Sequence, residues 1–228
     1  MSLILSIETA TKVCSIALHE NGTLIGSQEL RVDKSHSKFL APMIRDLFLK
    51  LRKEMKELSA VALSKGPGSY TGLRIGSSTA KGICYALDIP LITVNTLLSM
   101  CYLANQVNDN GFHLCPMLDA RRMEVYALIV DKDLKILQDT KAVVMEESSF
   151  KNYLDRFPIL FFGDGMYKSK EILEKHPNAH FRENISPLAK AIGYLALEKY
   201  QNKDFENLED FEPFYLKDFI TTIPKKFF

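Results

Sequence analysis

Residues 66–76 read GPGSYTGLRIG, which places four glycines and one proline between an apolar run and a helical pattern. Glycine-dense turns that join a strand to a helix often bind phosphate. A Walker A loop, however, needs Lys and then Ser or Thr after its last glycine, whereas Leu73 and Arg74 follow Gly72. The dinucleotide fingerprint has two residues between its second and third glycines, whereas three residues separate Gly68 from Gly72. The stretch therefore matches neither phosphate-binding motif.

Small residues line one face of the helix that the sequence predicts from about 71 to 87. Gly72, Gly76, Ala80 and Cys84 follow each other at every fourth position of this helix. Glycine inside a helix costs roughly 1 kcal/mol relative to alanine. We therefore expect another backbone to pack closely on this face and offset the cost. The candidates are the preceding helix of the same chain and a second protein chain.

Apolar runs and turn residues on both sides of this stretch predict an alternation of strands and helices. The predicted strands are 3–7, 14–18, 23–30, 58–63, 91–94, 114–118, 124–130, 134–137 and 159–162. The predicted helices are about 35–53, with Ser35 to Ser37 as its cap, 71–87, 96–107, 168–175 and 186–200.

A weak internal repeat is present in this order of elements. Strand, acidic corner, strand, polar turn and strand occur at 3–30 and again at 114–138, with Glu8 and Asp119 in equivalent places. The repeat predicts an α/β protein of two lobes, each with a βββαβα core, although two unrelated meanders would give the same pattern. The polar segment 106–111 divides the chain into an N-terminal lobe (1–105) and a C-terminal lobe (106–228). The last helix is a candidate to pack back on the first lobe.

The composition is that of an ordinary globular protein, with 46% hydrophobic and 25% charged residues. The net charge is +1, so any nucleic acid is expected to be held through a partner and not by this chain alone. We find no signal peptide, no apolar run long enough for a membrane span and no CxxC among the four cysteines, which favours a cytoplasmic location. The tail Lys225 to Phe228 is basic and aromatic and is a candidate contact for RNA or a partner.

Two corners carry the residues with the chemistry of a phosphate site. Glu8, Thr9 and Thr11 follow the first strand, and Asp119 and Arg121 follow the equivalent strand of the repeat. Together they form a candidate phosphate corner, although a single acid after a strand is more often only part of a turn.

Other candidate sites are weaker. His36 stands between two serines, where capping of a helix is the commoner role. His176 and His180 are four residues apart, but Pro177 interrupts any helix between them, so a zinc pair is not expected. No GxSxG surrounds a serine nucleophile.

The sequence closely resembles the bacterial TsaB family, also called YeaZ. The resemblance runs through LILSIETAT, HSKFLAPMI, the long block from ALSKGPGSYTGLRIG to ITVNTL, MLDARRMEVYALIV and the GDG at 163–165, and it returns at FYLK (214–217). It implies the actin/Hsp70/sugar-kinase (ASKHA, ribonuclease H-like) fold. It also implies an accessory role in forming threonylcarbamoyladenosine (t6A) at position 37 of tRNA, with a TsaD-type catalytic paralogue and a TsaE-type ATPase as partners.

The resemblance further implies that the two N-terminal helices form the partner interface, and a homodimer interface when the paralogue is absent. On those helices the candidate contact residues are His36, Leu40, Met43, Ile44, Leu47, Gly72, Arg74, Gly76, Ser77, Ser78 and Lys81. A bulky charged residue at Ser78 or Met43 is expected to abolish pairing and leave the fold intact. GPGSYTGLRIG is then the start of a docking helix.

Departures from the catalytic paralogue favour a protein without its own activity. TsaD-type proteins carry HxxxH on the first helix, whereas Leu40 stands four residues after His36 here. The usual first-strand acid of the family is Asp, and here it is Glu8. We expect no metal and no cofactor, with ATP or ADP only at the partner interface. The alternative is a stand-alone ATPase built on the acidic corner, and a metalloprotease is a remote third choice because HExxH is absent.

Overall fold

The computed structural model describes residues 2–32 and 36–216. The first lobe is a five-stranded sheet in the order β3-β2-β1-β4-β5, in which β1 pairs antiparallel with β2 and parallel with β4. Its elements are β1 (Leu3–Glu8), β2 (Cys14–Glu20), β3 (Thr23–Leu30), α1 (His36–Leu51), β4 (Ala60–Gly66), α2 (Tyr70–Leu87), β5 (Leu91–Asn95) and α3 (Thr96–Asn105).

The second lobe repeats this arrangement. Its sheet has the order β10-β9-β6-β7-β8, which is equivalent strand for strand to the first. Its elements are β6 (His113–Asp119), β7 (Glu124–Val130), β8 (Ile136–Val144), α4 (Lys151–Leu154), β9 (Ile159–Phe162), α5 (Met166–Leu173), β10 (Ala179–Arg182) and α6 (Ala189–Gln201). The predicted duplication of a βββαβα unit is confirmed, and Glu8 and Asp119 end the equivalent strands β1 and β6.

The alternation of side chains explains how both faces of the first sheet are covered. Leu5 and Ile7 of β1 point into a core that α1 and α2 close, whereas Ile4 points to the opposite face and packs with Ile192 of α6. Helix α3 packs on the second sheet, where Leu97 joins its core, and also contacts α6. Both faces of β1 are therefore buried, which positions the corner that follows it inside the molecule.

The last described segment runs back over the first lobe. Glu206 forms an isolated bridge to Leu91 of β5, and Phe211 is buried in the core beneath α2. Lys81 of α2 donates to the carbonyls of Glu209 and Phe211, each at 3.2 Å. We call residues 205–216 the C-terminal strap, because they link β5 to α2.

Several boundaries differ from those predicted. β8 continues to Val144 and not to 137, and α6 begins at Ala189 and not near 186. The short α4 and β10 were not predicted, because each has only four residues and offers too few positions for a period. The predicted cap at Ser35 and the basic tail at 225–228 lie outside the described residues.

Candidate functional site

The turn GPGSY packs against the corner that follows β1. Gly66 has φ +113°, and a side chain there would meet the carbonyl oxygen of Phe214 at 2.6 Å. A Cβ on Gly68 would meet the carbonyl oxygen of Ala10, to which Ser69 donates its backbone N–H at 2.7 Å. Ser69 then caps α2, since its Oγ accepts from the amide of Gly72 at 3.3 Å. The glycines therefore allow the turn to pack directly against the backbone of Ala10 and Phe214, where a side chain would not fit.

The small residues of α2 have the same explanation. A Cβ on Gly72 would lie 2.0 Å from the carbonyl oxygen of Thr9. A Cβ on Gly76 would lie 2.3 Å from Oγ1 of the same residue. The hydroxyl of Thr9 donates to the carbonyl of Gly72 at 2.8 Å, deep in the protein. Near the start of α2 the stripe therefore packs on the β1 corner, which was not among the expected partners. Further along, Ala80 and Cys84 belong to the core that α1 also enters, so the expectation of α1 as the partner holds for that part of the stripe.

Glu8 is fully buried behind this corner. One carboxyl oxygen, Oε1, accepts from the backbone N–H of Ala10 and from the hydroxyl of Ser64, both at 2.7 Å. The other oxygen, Oε2, has no hydrogen-bond partner among the described residues. Desolvation raises the pKa of Glu8 to about 7, although the hydrogen bonds from Ala10 and Ser64 oppose the shift. The carboxyl is therefore mostly neutral below pH 7 and about half ionised at pH 7.

The second corner is exposed and already paired. Asp119 accepts from the ammonium of Lys168 and from the backbone N–H of Arg121. Its pKa is lowered; burial opposes the shift, and the hydrogen bond from Lys168 contributes most to the lowering. Asp164 accepts from the amide of Asp119 at 2.9 Å. Lys168 and Asp164 are the two neighbours that sequence reasoning missed, because 49 and 45 positions separate them from Asp119.

The structure does not join the five predicted corner residues into one site. A cavity of about 160 Å³ lies between the lobes, and of the five residues only Thr11 lines it, together with Lys12, Leu118 and Asp164. Glu8 and Thr9 are buried in the first lobe, and Asp119 and Arg121 lie at the surface of the second. Ligand pockets usually have volumes of about 300–1,000 Å³. The described residues include no cluster of three or more potential metal ligands.

Most of the predicted contact residues of α1 and α2 point inward. Those with less than a tenth of their surface exposed are His36, Leu40, Met43, Ile44, Leu47, Gly72, Gly76 and Ser77. The four apolar residues of α1 belong to the core of the first lobe. This corrects their assignment as contact residues, and a charge at Met43 should unfold the lobe and not merely block pairing.

The outward faces of the two helices carry other residues. Leu49 of α1 is 75% exposed and Tyr85 of α2 is 84% exposed. Arg74 and Ser78 remain on the exposed side of α2, whereas Lys81 is partly used in holding the C-terminal strap. The guanidinium of Arg74 lies 5.4 Å from the ring centre of Tyr70, and the ring of Tyr215 in the strap lies 4.8 Å from the same ring.

Gly82 is the one glycine of α2 whose position would accept a side chain without a clash inside the described part of the chain. It is exposed, and a Cβ built on it meets no atom within 4 Å. We call Leu49, Arg74, Ser78, Gly82 and Tyr85 the outer face of α1 and α2. On α2 these exposed residues recur at helical spacing, so the sequence could have indicated this face. The glycine repeat at 72 and 76 instead indicated the opposite, buried face.

Comparison with known proteins places these features in a family. The family model described as "TsaD: tRNA N6-adenosine threonylcarbamoyltransferase" matches residues 30–225. A Bacillus subtilis relative named "tRNA threonylcarbamoyladenosine biosynthesis protein TsaB" is 31% identical over 75% of this chain and 75% of its own. The chain belongs to the TsaB family, within the wider TsaD-like group.

Other relatives agree on the family. The Escherichia coli protein of the same name is 34% identical over 63% of each chain, so this alignment spans less than two thirds of that relative. The Haemophilus influenzae protein is 27% identical, and the alignment covers 96% of this chain and 94% of that one. The resemblance expected from the sequence motifs is thereby confirmed.

Solved structures establish the fold. A Pseudomonas aeruginosa protein described as similar to peptidase YeaZ gives a TM-score of 0.84 at 24% identity, covering 95% of this chain and all of that chain. The activator of a 2-hydroxyisocaproyl-CoA dehydratase from Clostridium difficile gives a TM-score of 0.53 at 8% identity. The fold is the actin/Hsp70/sugar-kinase fold, as the family resemblance implied. In the described part, no helix has the length and apolar character needed to cross a bilayer.

Proposed function

We propose that this TsaB-family chain is a non-catalytic accessory subunit in t6A biosynthesis. In this role it binds a TsaD-type paralogue and activates it, together with a TsaE-type ATPase, for transfer of threonylcarbamoyl to adenosine 37 of tRNA. The relatives carry the name of t6A biosynthesis proteins, and the family model that matches is that of the transferase itself. A pair of paralogues with one fold can associate through equivalent faces, as subunits do in a symmetric dimer.

The outer face of α1 and α2 is the observation that carries this proposal. It exposes Leu49 on α1, and on α2 it exposes Tyr85 one helical turn after Gly82, at which another backbone can approach closely. Exposed tyrosine is enriched among residues that dominate binding energy at protein interfaces. Glycine at an exposed helical position costs roughly 1 kcal/mol, and a partner helix packed on Gly82 would offset that cost. A second copy of this chain is the expected occupant when the paralogue is absent.

The burial of Leu40 and Glu8 supports the absence of catalysis. The first-helix position that would complete a metal pair with His36 is Leu40, which is 2% exposed and part of the core. The carboxyl of Glu8 is buried and accepts hydrogen bonds from Ala10 and Ser64, so it lacks the exposure that a magnesium–phosphate site requires, and burial raises its pKa to about 7. These facts favour the accessory role over a stand-alone ATPase, and any ATP or ADP is expected only at the junction with the partner.

Pairing is tested with two exposed tyrosines. Tyr85→Ala should weaken binding to the TsaD-type paralogue roughly 30-fold, the effect of losing one dominant interface residue. Tyr167→Ala removes a tyrosine that is 52% exposed on α5 of the other lobe and should leave affinity unchanged. Calorimetric titration of both variants provides the measurement. Equal affinity of wild type and Tyr85→Ala would exclude this face as the interface.

Activation is tested by reconstituting t6A synthesis from the paralogue, the TsaE-type ATPase, a threonylcarbamoyl-adenylate synthase and tRNA. Product formation should depend on this chain and survive Glu8→Gln. Loss of product with a Glu8→Gln protein that still binds the paralogue would show that the corner takes part in the reaction. Full activity without this chain would contradict the accessory role.

A further inference from the structure

The turn between β6 and β7 holds two consecutive arginines in an unfavourable backbone conformation. Arg121 has φ +68° and Arg122 has φ +47°, both in the left-handed region. Residues with a Cβ are disfavoured there, and glycine and asparagine adopt this region most readily. Strained residues of this type tend to cluster at functional sites. The chain thus carries two arginines at positions where stability alone would favour asparagine and glycine.

The side chains of Lys168 and Asp119 and the backbone of Met145 hold this turn in place. The ammonium of Lys168 donates to the carbonyl of Arg122 at 2.7 Å and to the carboxylate of Asp119. Asp119 also accepts from the backbone N–H of Arg121, and the carbonyl of Met123 accepts from the amide of Met145 at 2.7 Å. The backbone is therefore fixed at both ends, which places the two arginines at a defined position on the surface.

The guanidinium groups are open to solvent. Arg121 and Arg122 are both exposed, and neither forms an ion pair within 4.0 Å among residues 2–32 and 36–216. Asp119 already pairs with Lys168 and attracts Arg121 only at longer range. Arginine is suited to phosphate because its planar fork donates two parallel hydrogen bonds.

From this geometry we propose that Arg121 and Arg122 bind the phosphodiester backbone of tRNA directly. The inference rests on the proposed function, which makes tRNA the substrate of the assembled complex, and it replaces the expectation that tRNA is held only through the partner. A free nucleotide carries the same phosphate chemistry. The cavity beside this corner has only about 160 Å³, however, and neither arginine lines it. The exposed pair therefore fits an extended polyanion better than a nucleotide enclosed in a pocket.

The decisive variant combines Arg121→Asn with Arg122→Gly, because asparagine and glycine tolerate the positive φ of these two positions. If the arginines are retained for binding, the variant should melt about 3 °C higher than wild type as strain is relieved. Its complex with the TsaD-type paralogue should bind an unmodified tRNA transcript roughly 100-fold more weakly, about tenfold for each charge-assisted hydrogen-bond donor lost. The slope of log K against log salt should fall by about two.

Two controls separate the contributions. Arg121→Lys with Arg122→Lys keeps the charge and should retain most of the affinity and the salt slope. Arg52→Gly removes a single exposed arginine of the first lobe that also has a positive φ, +53°, so it should raise the melting temperature without changing tRNA affinity. Fluorescence anisotropy at several salt concentrations measures all four proteins.

The outcomes are distinct. Unchanged tRNA affinity of the Asn-Gly variant, with t6A synthesis still dependent on this chain, overturns the inference and leaves the proposed function standing. A lower melting temperature of that variant would mean that the arginines stabilise the turn, and would also overturn it. If ATP stabilises the wild type and not the Asn-Gly variant, the ligand is a nucleotide and not RNA. If t6A synthesis does not depend on this chain at all, the proposed function itself fails.

Discussion

Replacing Glu8 by glutamine should stabilise this protein at neutral pH, and the buried carboxyl determines by how much. Glutamine retains an oxygen that can accept from Ala10 and Ser64, and it carries no charge. Burial raises the pKa of Glu8 from 4.5 to about 7, so the folded protein binds more protons than the unfolded chain between these values. The free energy of unfolding should therefore fall as pH rises from about 4.5 to 7 and stay constant above that range.

The size of the effect follows from the same shift. Each pKa unit corresponds to about 1.4 kcal/mol. The raised pKa of Glu8 therefore lowers the free energy of unfolding by about 3 kcal/mol at pH 8 and by only about 1 kcal/mol at pH 5. The stability of Glu8→Gln relative to wild type should therefore increase by about 2 kcal/mol between pH 5 and pH 8. Urea denaturation followed by circular dichroism at both pH values measures this difference.

The control is Glu171→Gln, which removes an exposed carboxylate of α5 and should change stability by less than about 0.5 kcal/mol at either pH. Titration of other groups, including histidines, affects wild type and variant alike and cancels in the comparison. A difference between Glu8→Gln and wild type that does not change with pH would refute the reasoning. Lower stability of the variant at pH 8 would do the same.

Further predictions concern the packing that surrounds this corner. Gly76→Ala should destabilise the fold by about 1–3 kcal/mol, because its Cβ would lie 2.3 Å from Oγ1 of Thr9. Gly82→Ala should instead stabilise the isolated chain by about 1 kcal/mol and weaken pairing with the paralogue, which urea denaturation and calorimetry test separately. Burial lowers the pKa of His19 to about 4, so stability should be lost as pH falls from about 6.5 toward 4, and His19→Leu should remove this loss in denaturation curves below pH 6.5. Lys81→Met should loosen the C-terminal strap, seen as faster hydrogen exchange at the amide of Phe214, which donates to the carbonyl of Lys65 at 2.6 Å. Unchanged exchange there would mean that Phe211 alone holds the strap.

Much of the fold was predictable because it depends on local order and period. The repeated sequence of strands and corners identified the duplicated unit, and α2 begins and ends within one residue of the predicted range. The exclusion of Walker A and dinucleotide motifs also depended only on spacing. β8 was cut short because only part of it reads as an apolar run; most of its residues are exposed or half-buried on an edge strand, so little hydrophobic pattern marks its end.

The site was less predictable, because its residues come from distant parts of the chain. Helical periodicity correctly grouped Leu40, Met43, Ile44 and Leu47 on one face, but it could not say whether a partner or the chain's own sheet covers that face. The glycine stripe of α2 has the same ambiguity, which only the position of Thr9 resolves.

The sequence alone determined the family and the order of the longer elements, and it indicated the duplication, since each of these follows from residues that are near each other in the chain. Only the tertiary structure decided that Glu8 is buried with a raised pKa, that Lys168 pairs with Asp119, and that Arg121 and Arg122 share a strained turn. The physical reason is that protonation, ion pairing and exposure depend on which groups displace water around a side chain. Those groups are brought together by the packing of the sheets and helices, over separations that no local pattern records.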